Sequence, residues 1–269
     1  MFARLKQLFA DPTPEAPNAS VPPGQRIYAV GDIHGRRDLF EKLIEAIEED
    51  DRTASLTDTT VILLGDLVDR GPDSAGVLER ARDWQQQRHV RILAGNHEEM
   101  FLESFESEQV LRHFLRHGGR ETVLSFGLEP ELFRTASLEE VQALMDVAVP
   151  HDIRAFVRGF EDTIEVGDYL FVHAGIDPSR PIEGQSPDTL RWIREPFLSH
   201  SEPFPKVVVH GHTIHEEVQD RGNRIGIDTG AFASGRLTAL VLEGTQRRYL
   251  ETAQRADGTI VALPRVLGR

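Results

Sequence analysis

The chain contains no cysteine among its 269 residues, which excludes disulfides, thiolate–metal sites and a cysteine nucleophile. No apolar run approaches the length of a membrane span, and the opening "MFARLKQLFA" is too interrupted by charge to form the core of a secretory signal. Positive charge is also scarce: 30 Lys and Arg face 44 Asp and Glu, for a formal net charge of −14. That balance excludes a nucleic-acid binder whose affinity comes from neutralising phosphates, although a local cationic pocket is still allowed. Two catalytic templates are missing as well. Without a GxSxG nucleophile elbow or a GxxxxGK[ST] phosphate loop, acyl-hydrolase and nucleoside-triphosphatase readings lack their parts. What is left is a chain read as cytoplasmic, whose 39% hydrophobic residues can bury one substantial core.

Residues 1–24 read as a short amphipathic helix, with Phe2, Leu5, Leu8 and Phe9 at helical spacing, followed by the linker "DPTPEAPNASVPPG". Proline and small residues at that density neither propagate a helix nor fill a core. From residue 25 the pattern turns to βαβ units. "RIYAVGD", "TVILLGD" and "VRILAGN" are short apolar strands, and between them lie helical patterns such as "RRDLFEKLIEAIEED", which places Leu39, Leu43, Ile44 and Ile47 on one face. Residues from about 101 to 160 look like a helical insertion. Beyond it, "TIEVGDYLFVHAG", "KVVVHGH", "RIGIDTG", "LTALVLEG" and "QRRYLE" return to strands spaced for hairpins, predicting a second, mixed or antiparallel sheet packed on the first.

Five segments share one habit: an apolar strand that ends in Asp, Asn or His. "VGDIHG" supplies Asp32 and His34, "LGDLVDRG" supplies Asp66, Asp69 and Arg70, "AGNHE" supplies Asn96 and His97, "VHAG" supplies His173, and "VHGHT" supplies His210 and His212. The carboxyl ends of strands are where α/β sheets bind ligands. Singly, each motif has a plain structural explanation, since Asp and Asn beside glycine favour turns and a lone His is usually just hydrogen-bonded. Together they form a set of carboxylates and imidazoles without thiols, which suits Mn²⁺, Fe or Zn²⁺. Two divalent cations held about 3.5–4 Å apart repel each other strongly, and a bridging carboxylate relieves that repulsion.

"GDIHG", "GDLVDRG" and "GNHE" in this order, with "FVHAG", "WIRE", "HGHT" and "IDTGA…GRLTAL", span Ile27 to about Leu242. The chain here resembles the calcineurin-like metallophosphoesterases, and within them the phosphoprotein phosphatase branch and its small bacterial and phage-type members. The resemblance implies an α/β fold, a metallophosphoesterase β-sandwich flanked by helices in α-β-β-α layers, with one catalytic domain over residues 25–269. It further implies that Asp32, His34 and Asp66 hold one metal ion, and that Asp66, Asn96, His173 and His212 hold the other, with Mn²⁺ the first choice. His97 would then be the general acid, paired with Asp69, while Arg70 and Arg194 clamp the phosphate and a metal-bridging hydroxide attacks phosphorus. Arg191 lies in the same segment as Arg194 and could be the inward-pointing one. Arg36 and Arg37 read as exposed helix charges.

The substrate implied is a phosphorylated protein or a small phosphoester, with no nucleic-acid partner. Serine/threonine phosphatase activity, extending to phosphotyrosine, leads. A bis(5'-nucleosyl)-tetraphosphatase is the alternative, set second because no long basic stretch adjoins the site motifs. A non-catalytic scaffold would predict lost ligands, and none is lost. In "VVVHGHTIH" the spacing differs from the GHxH pattern of other metallophosphoesterases. His212 is therefore expected to be the single ligand, His210 a hydrogen-bonding partner behind the ligands and His215 a loop residue.

Overall fold

Alternation of side chains across the strands decides how the layers stack. The computed structural model describes residues 19–53 and 58–265; the N-terminal helix expected from Phe2, Leu5, Leu8 and Phe9 lies outside them. Strand β1 (Gln25–Val30), helix α1 (Arg37–Thr53), strand β2 (Asp58–Leu63), helix α2 (Ser74–Gln87) and strand β3 (Val90–Ile92) succeed one another, and the three strands pair in parallel. Tyr28, Val30, Val61 and Leu63 point to one face and pack against Leu39, Phe40, Leu43 and Ile47 of α1 and Val77, Leu78 and Trp84 of α2. Ile27, Ala29, Ile62 and Leu64 point to the other face, where the second sheet covers them.

The insertion is helical throughout: α3 (Asn96–Glu103), α4 (Glu108–Phe114), a π-helical turn (Leu115–Gly119), α5 (Arg120–Ser125), α6 (Pro130–Thr135), α7 (Leu138–Ala148) and α8 (His151–Arg158). Helix α3 begins at Asn96 itself, so the insertion grows out of a site motif. Strands β4 (Thr163–Val166) and β5 (Tyr169–Val172) form the expected hairpin, and helix α9 (Pro187–Trp192) follows. Next come β6 (Val207–His210), β7 (Gln219–Asp220), β8 (Arg224–Gly226), α10 (Ala231–Ser234), β9 (Arg236–Glu243), β10 (Gln246–Gln254) and β11 (Ile260–Arg265).

Two mixed sheets result, in the orders β11-β10-β9-β1-β2-β3 and β4-β5-β6-β8-β7. This is the expected α/β sandwich flanked by helices, with one correction. "LTALVLEG" and "QRRYLE" do not join the second sheet; β9 pairs antiparallel with β1 and so extends the first. Local hairpin signals could identify the β9–β10 pair, but sheet membership depends on the long-range partner Val30↔Ala239. Within each sheet the consecutive parallel strands, β1, β2 and β3 and then β5, β6 and β8, run the same way, which gathers their carboxyl-terminal loops. At the other end of the chain, Ala19 and Val21 are buried in the inter-sheet core, and the Val21 N–H donates to Gly244 at 3.0 Å.

Candidate metal centre

Among the described residues the non-glycine residues with positive φ are His34 (46°), Asp66 (50°), Asp69 (73°), Arg70 (68°) and His212 (62°). All five are candidate site residues. A left-handed backbone at a non-glycine residue costs roughly 1–3 kcal/mol and persists only where its surroundings over-determine it. Much of the restraint comes from Glu98, whose carboxylate, buried beneath the site, accepts backbone N–H groups from Asp66 (2.8 Å), Leu67 (2.7 Å), Val68 (3.3 Å) and Gly95 (2.9 Å). Burial, and then the charge of Asp66, push its pKa up to about 7.

His34 and His173 each have one ring nitrogen committed to a backbone carbonyl, which decides which nitrogen faces the centre. His34 Nδ1 donates to the Val68 carbonyl at 2.7 Å, and His173 Nδ1 to the Leu64 carbonyl at 2.8 Å. Their Nε2 atoms are thereby the ones turned to the centre, where each would offer a lone pair to a cation that displaced any proton held there. His34 Nε2 lies 3.5 Å from Asp66 Oδ2, while His173 Nε2 lies 3.4 Å from Asp66 Oδ1 and 3.1 Å from Asn96 Oδ1. His212 Nδ1 is 2.8 Å from Asn96 Oδ1, and its buried Nε2 has no hydrogen-bond partner among the described residues. Two groups could thus each hold a cation, His34 with Asp66 and His97, and Asp66 with His173 and His212. Asp66 belongs to both, one carboxylate oxygen facing each way. The Asp32 carboxylate, also buried, accepts the His212 N–H at 3.2 and 3.0 Å.

The donor chemistry fits divalent cations. Asp32, Asp66, Asp69, Glu98 and Asp228 are all buried around one centre, a density of carboxylates that an apolar interior does not tolerate unpaired. Burial, followed by the neighbouring charge of Asp228, holds Asp32 well above the carboxylate range. His173 shows the opposite balance: burial lowers it, yet Asp66 and Asp32 together push it up to about 10.

Beside this centre His97 Nδ1 donates to Asp69 Oδ2 at 2.6 Å. Arg70 reaches across, its two terminal nitrogens each 2.9 Å from His34 Nε2 and His97 Nε2, with its guanidinium 4.7 Å from the ring centroid of Phe232. The two candidate arginines of "RWIRE" separate cleanly. Arg191 is tied to Asp162 (2.7 Å) and Glu99 (3.0 Å). Arg194 is exposed, and its positive charge is felt at His212.

Several expectations need correction. Arg36 is not an exposed charge but is buried, donating to Asp38, Gln254 and the Ala231 carbonyl; Arg37 is exposed, as expected, and pairs with Glu41 and Asp73. His210 supports no ligand side chain: its Nδ1 bonds the Gly211 carbonyl at 3.0 Å and its ring packs edge-on against Phe197. His215 is a loop residue whose N–H bonds Asp228. Glu98, Asp228, Phe232 and Thr122 were missed. The acidic "NHEE" and "IDTG" segments carried a signal for the first two, but nothing local distinguished Phe232 or Thr122.

The fold and this site together define a metal-dependent phosphoesterase. Residues 25–233 match the calcineurin-like phosphoesterase family, and the chain belongs to it. The chain is 27% identical over 235 residues to the asymmetrical bis(5'-nucleosyl)-tetraphosphatase PrpE of Anoxybacillus flavithermus, across 78% of this chain and 88% of that one. It is 26% identical to serine/threonine-protein phosphatase 2 of Escherichia coli, across 80% and 91%. A solved structure provisionally assigned as a diadenosine tetraphosphatase aligns with a TM-score of 0.58 at 22% identity, covering 93% of this chain and 98% of that chain.

Proposed function

We propose that the protein hydrolyses phosphomonoesters at a dinuclear centre, with phosphorylated serine or threonine side chains of proteins as the leading substrate. The observation that carries this reading is the Asp69–His97 pair, 2.6 Å apart, whose imidazole borders the shared Asp66 in one of the two clusters built on that carboxylate. In this reading Asp32, His34 and Asp66 hold one ion and Asp66, Asn96, His173 and His212 the other, with Mn²⁺ the first candidate. Two such ions would supply the ionised water for in-line attack and draw charge from the phosphoryl oxygens.

The chain's own groups do the rest. Arg70, already between His34 and His97, swings its fork onto two phosphate oxygens, and exposed Arg194 approaches from the other side. Arg191 takes no part because Asp162 and Glu99 already hold its guanidinium. His97, its Nδ1 fixed by Asp69, presents Nε2 to the leaving oxygen and gives it a proton.

A second reading, hydrolysis of dinucleoside polyphosphates, has a specific observation behind it. Gly118, in the basic run "LRHFLRHGGR", accepts the Arg70 N–H at 3.0 Å, so Arg112, His113, Arg116, His117 and Arg120 occupy the segment adjoining the phosphate clamp. Phosphate release by Mn²⁺-loaded protein from a phosphoserine peptide, p-nitrophenyl phosphate and diadenosine tetraphosphate tests both. Turnover of the peptide supports the first reading, turnover of the dinucleotide alone replaces it with the second, and no turnover of any would leave a scaffold.

A further inference from the structure

One turn of the helical insertion grips the Asp69–Arg70 dipeptide from both ends. The Gly118 carbonyl accepts the Arg70 N–H at 3.0 Å. Contact there is so close that a Cβ at position 118 would lie 2.6 Å from the Arg70 backbone nitrogen. Four residues on, Thr122 Oγ1 accepts the Asp69 N–H at 2.8 Å and lies 2.6 Å from Asp69 Oδ1. Ser74 Oγ, 2.9 Å from the threonine hydroxyl, shares the Asp69 N–H at 3.0 Å. Asp69, Ser74 and Thr122 are all completely buried.

The proton inventory assigns the direction. A carboxylate only accepts, and the threonine hydroxyl has a single proton, so the 2.6 Å contact is Thr122 donating to Asp69 Oδ1. The second oxygen, Oδ2, accepts from His97 Nδ1, also at 2.6 Å. Each oxygen thus has its own short donor, which stops the carboxylate from rotating and aims Oδ2 at the imidazole. Asp69 and Arg70 are also consecutive left-handed residues, at φ 73° and 68°, a conformation that needs external restraint.

We infer that Thr122 is a positioning residue for the Asp69–His97 pair, and that the turn from Gly118 to Thr122 makes the helical insertion part of the catalytic machinery rather than support beside it. This rests on the proposed role of His97 as the acid, and the test is arranged to separate the two. Thr122 touches neither substrate nor reacting atoms. Its effect travels through Asp69 to the orientation of the imidazole, and so to protonation of the leaving oxygen.

The test compares Thr122→Val, Thr122→Ser and His97→Asn on phenyl phosphate, a poor leaving group, and on p-nitrophenyl phosphate, which leaves without help. Metal content and melting temperature are measured alongside. Thr122→Val is expected to lower kcat on phenyl phosphate by about 10- to 100-fold, and on p-nitrophenyl phosphate only about threefold, with KM and metal content unchanged. Thr122→Ser, which keeps the hydroxyl, should recover most of the loss. Equal losses on both substrates, no loss on either, or a loss that serine does not rescue would overturn the positioning role. If His97→Asn itself shows no leaving-group dependence, the acid assignment fails; if it does and Thr122→Val does not, only the present inference fails. Should Thr122→Val not fold, Thr122→Ala supports the same comparison.

Discussion

Gly211 stands directly against Asp32: a Cβ at position 211 would lie 2.0 Å from Asp32 Oδ1. The next residue, His212, donates its N–H to both oxygens of the same carboxylate. The glycine between the two histidines of "HGH" is thus required by a carboxylate that comes from a different sheet. Gly211→Ala should displace Asp32 and weaken metal binding by about tenfold or more, a loss of the size expected when a ligand's orienting partner is disturbed. Metal titration by calorimetry checks it, and wild-type affinity in the variant would show that Asp32 is not a ligand.

His97 and Asp66 should fail in different ways. His97→Asn removes the proton donor and leaves the shared carboxylate, so turnover on a poor leaving group should fall by about 10²- to 10⁴-fold while bound metal is retained. Asp66→Asn takes away the one carboxylate common to both ligand groups and should lose metal and activity together. Elemental analysis of both purified variants beside their rates distinguishes these outcomes.

The pH–rate profile should report the Asp69–His97 pair. Burial lowers the His97 pKa, but the Asp66 and Asp69 carboxylates outweigh it and hold the imidazole above its ordinary value. A general acid works while protonated, so the rate should persist below that raised pKa and fall as pH rises through it. Asp69→Asn deletes one of the two raising charges, so the alkaline limb should move to lower pH relative to wild type. An unmoved limb would separate Asp69 from the acid.

The two arginines of "RWIRE" give a paired prediction. Arg194→Ala should raise KM by about tenfold, as expected for losing a charge-assisted contact to phosphate, and leave the melting temperature alone. Arg191→Ala leaves Asp162 and Glu99 without their cation and should destabilise the fold by about 1.5–3 kcal/mol, with little change in KM. Denaturation curves and steady-state kinetics on both variants decide the assignment.

How far the sequence could be read depended on whether a role was local. Asp32, Asp66 and Asn96 announced themselves because each follows an apolar strand and a glycine, and the strand direction alone carries them to one edge of the sheets. Glu98 and Thr122 could not be found that way. Glu98 matters through four N–H groups, three of them about thirty residues away, and Thr122 through a contact with Asp69 across 53 positions. The same reasoning explains Arg36 and His210, which looked like an exposed helix charge and a partner to the ligands until packing against α10 and Phe197 placed them. The basic run from Arg112 to Arg120 lay far from every motif in the sequence, yet its glycine turn touches Arg70.

The central claim, phosphoester hydrolysis by two ions sharing Asp66, is tested most directly by titrating Mn²⁺ into metal-stripped protein while following phosphate release from p-nitrophenyl phosphate. The account predicts no turnover before metal is added and saturation at two ions per chain, one for each ligand group. Full turnover in the presence of a chelator, or saturation at a single ion, would contradict it.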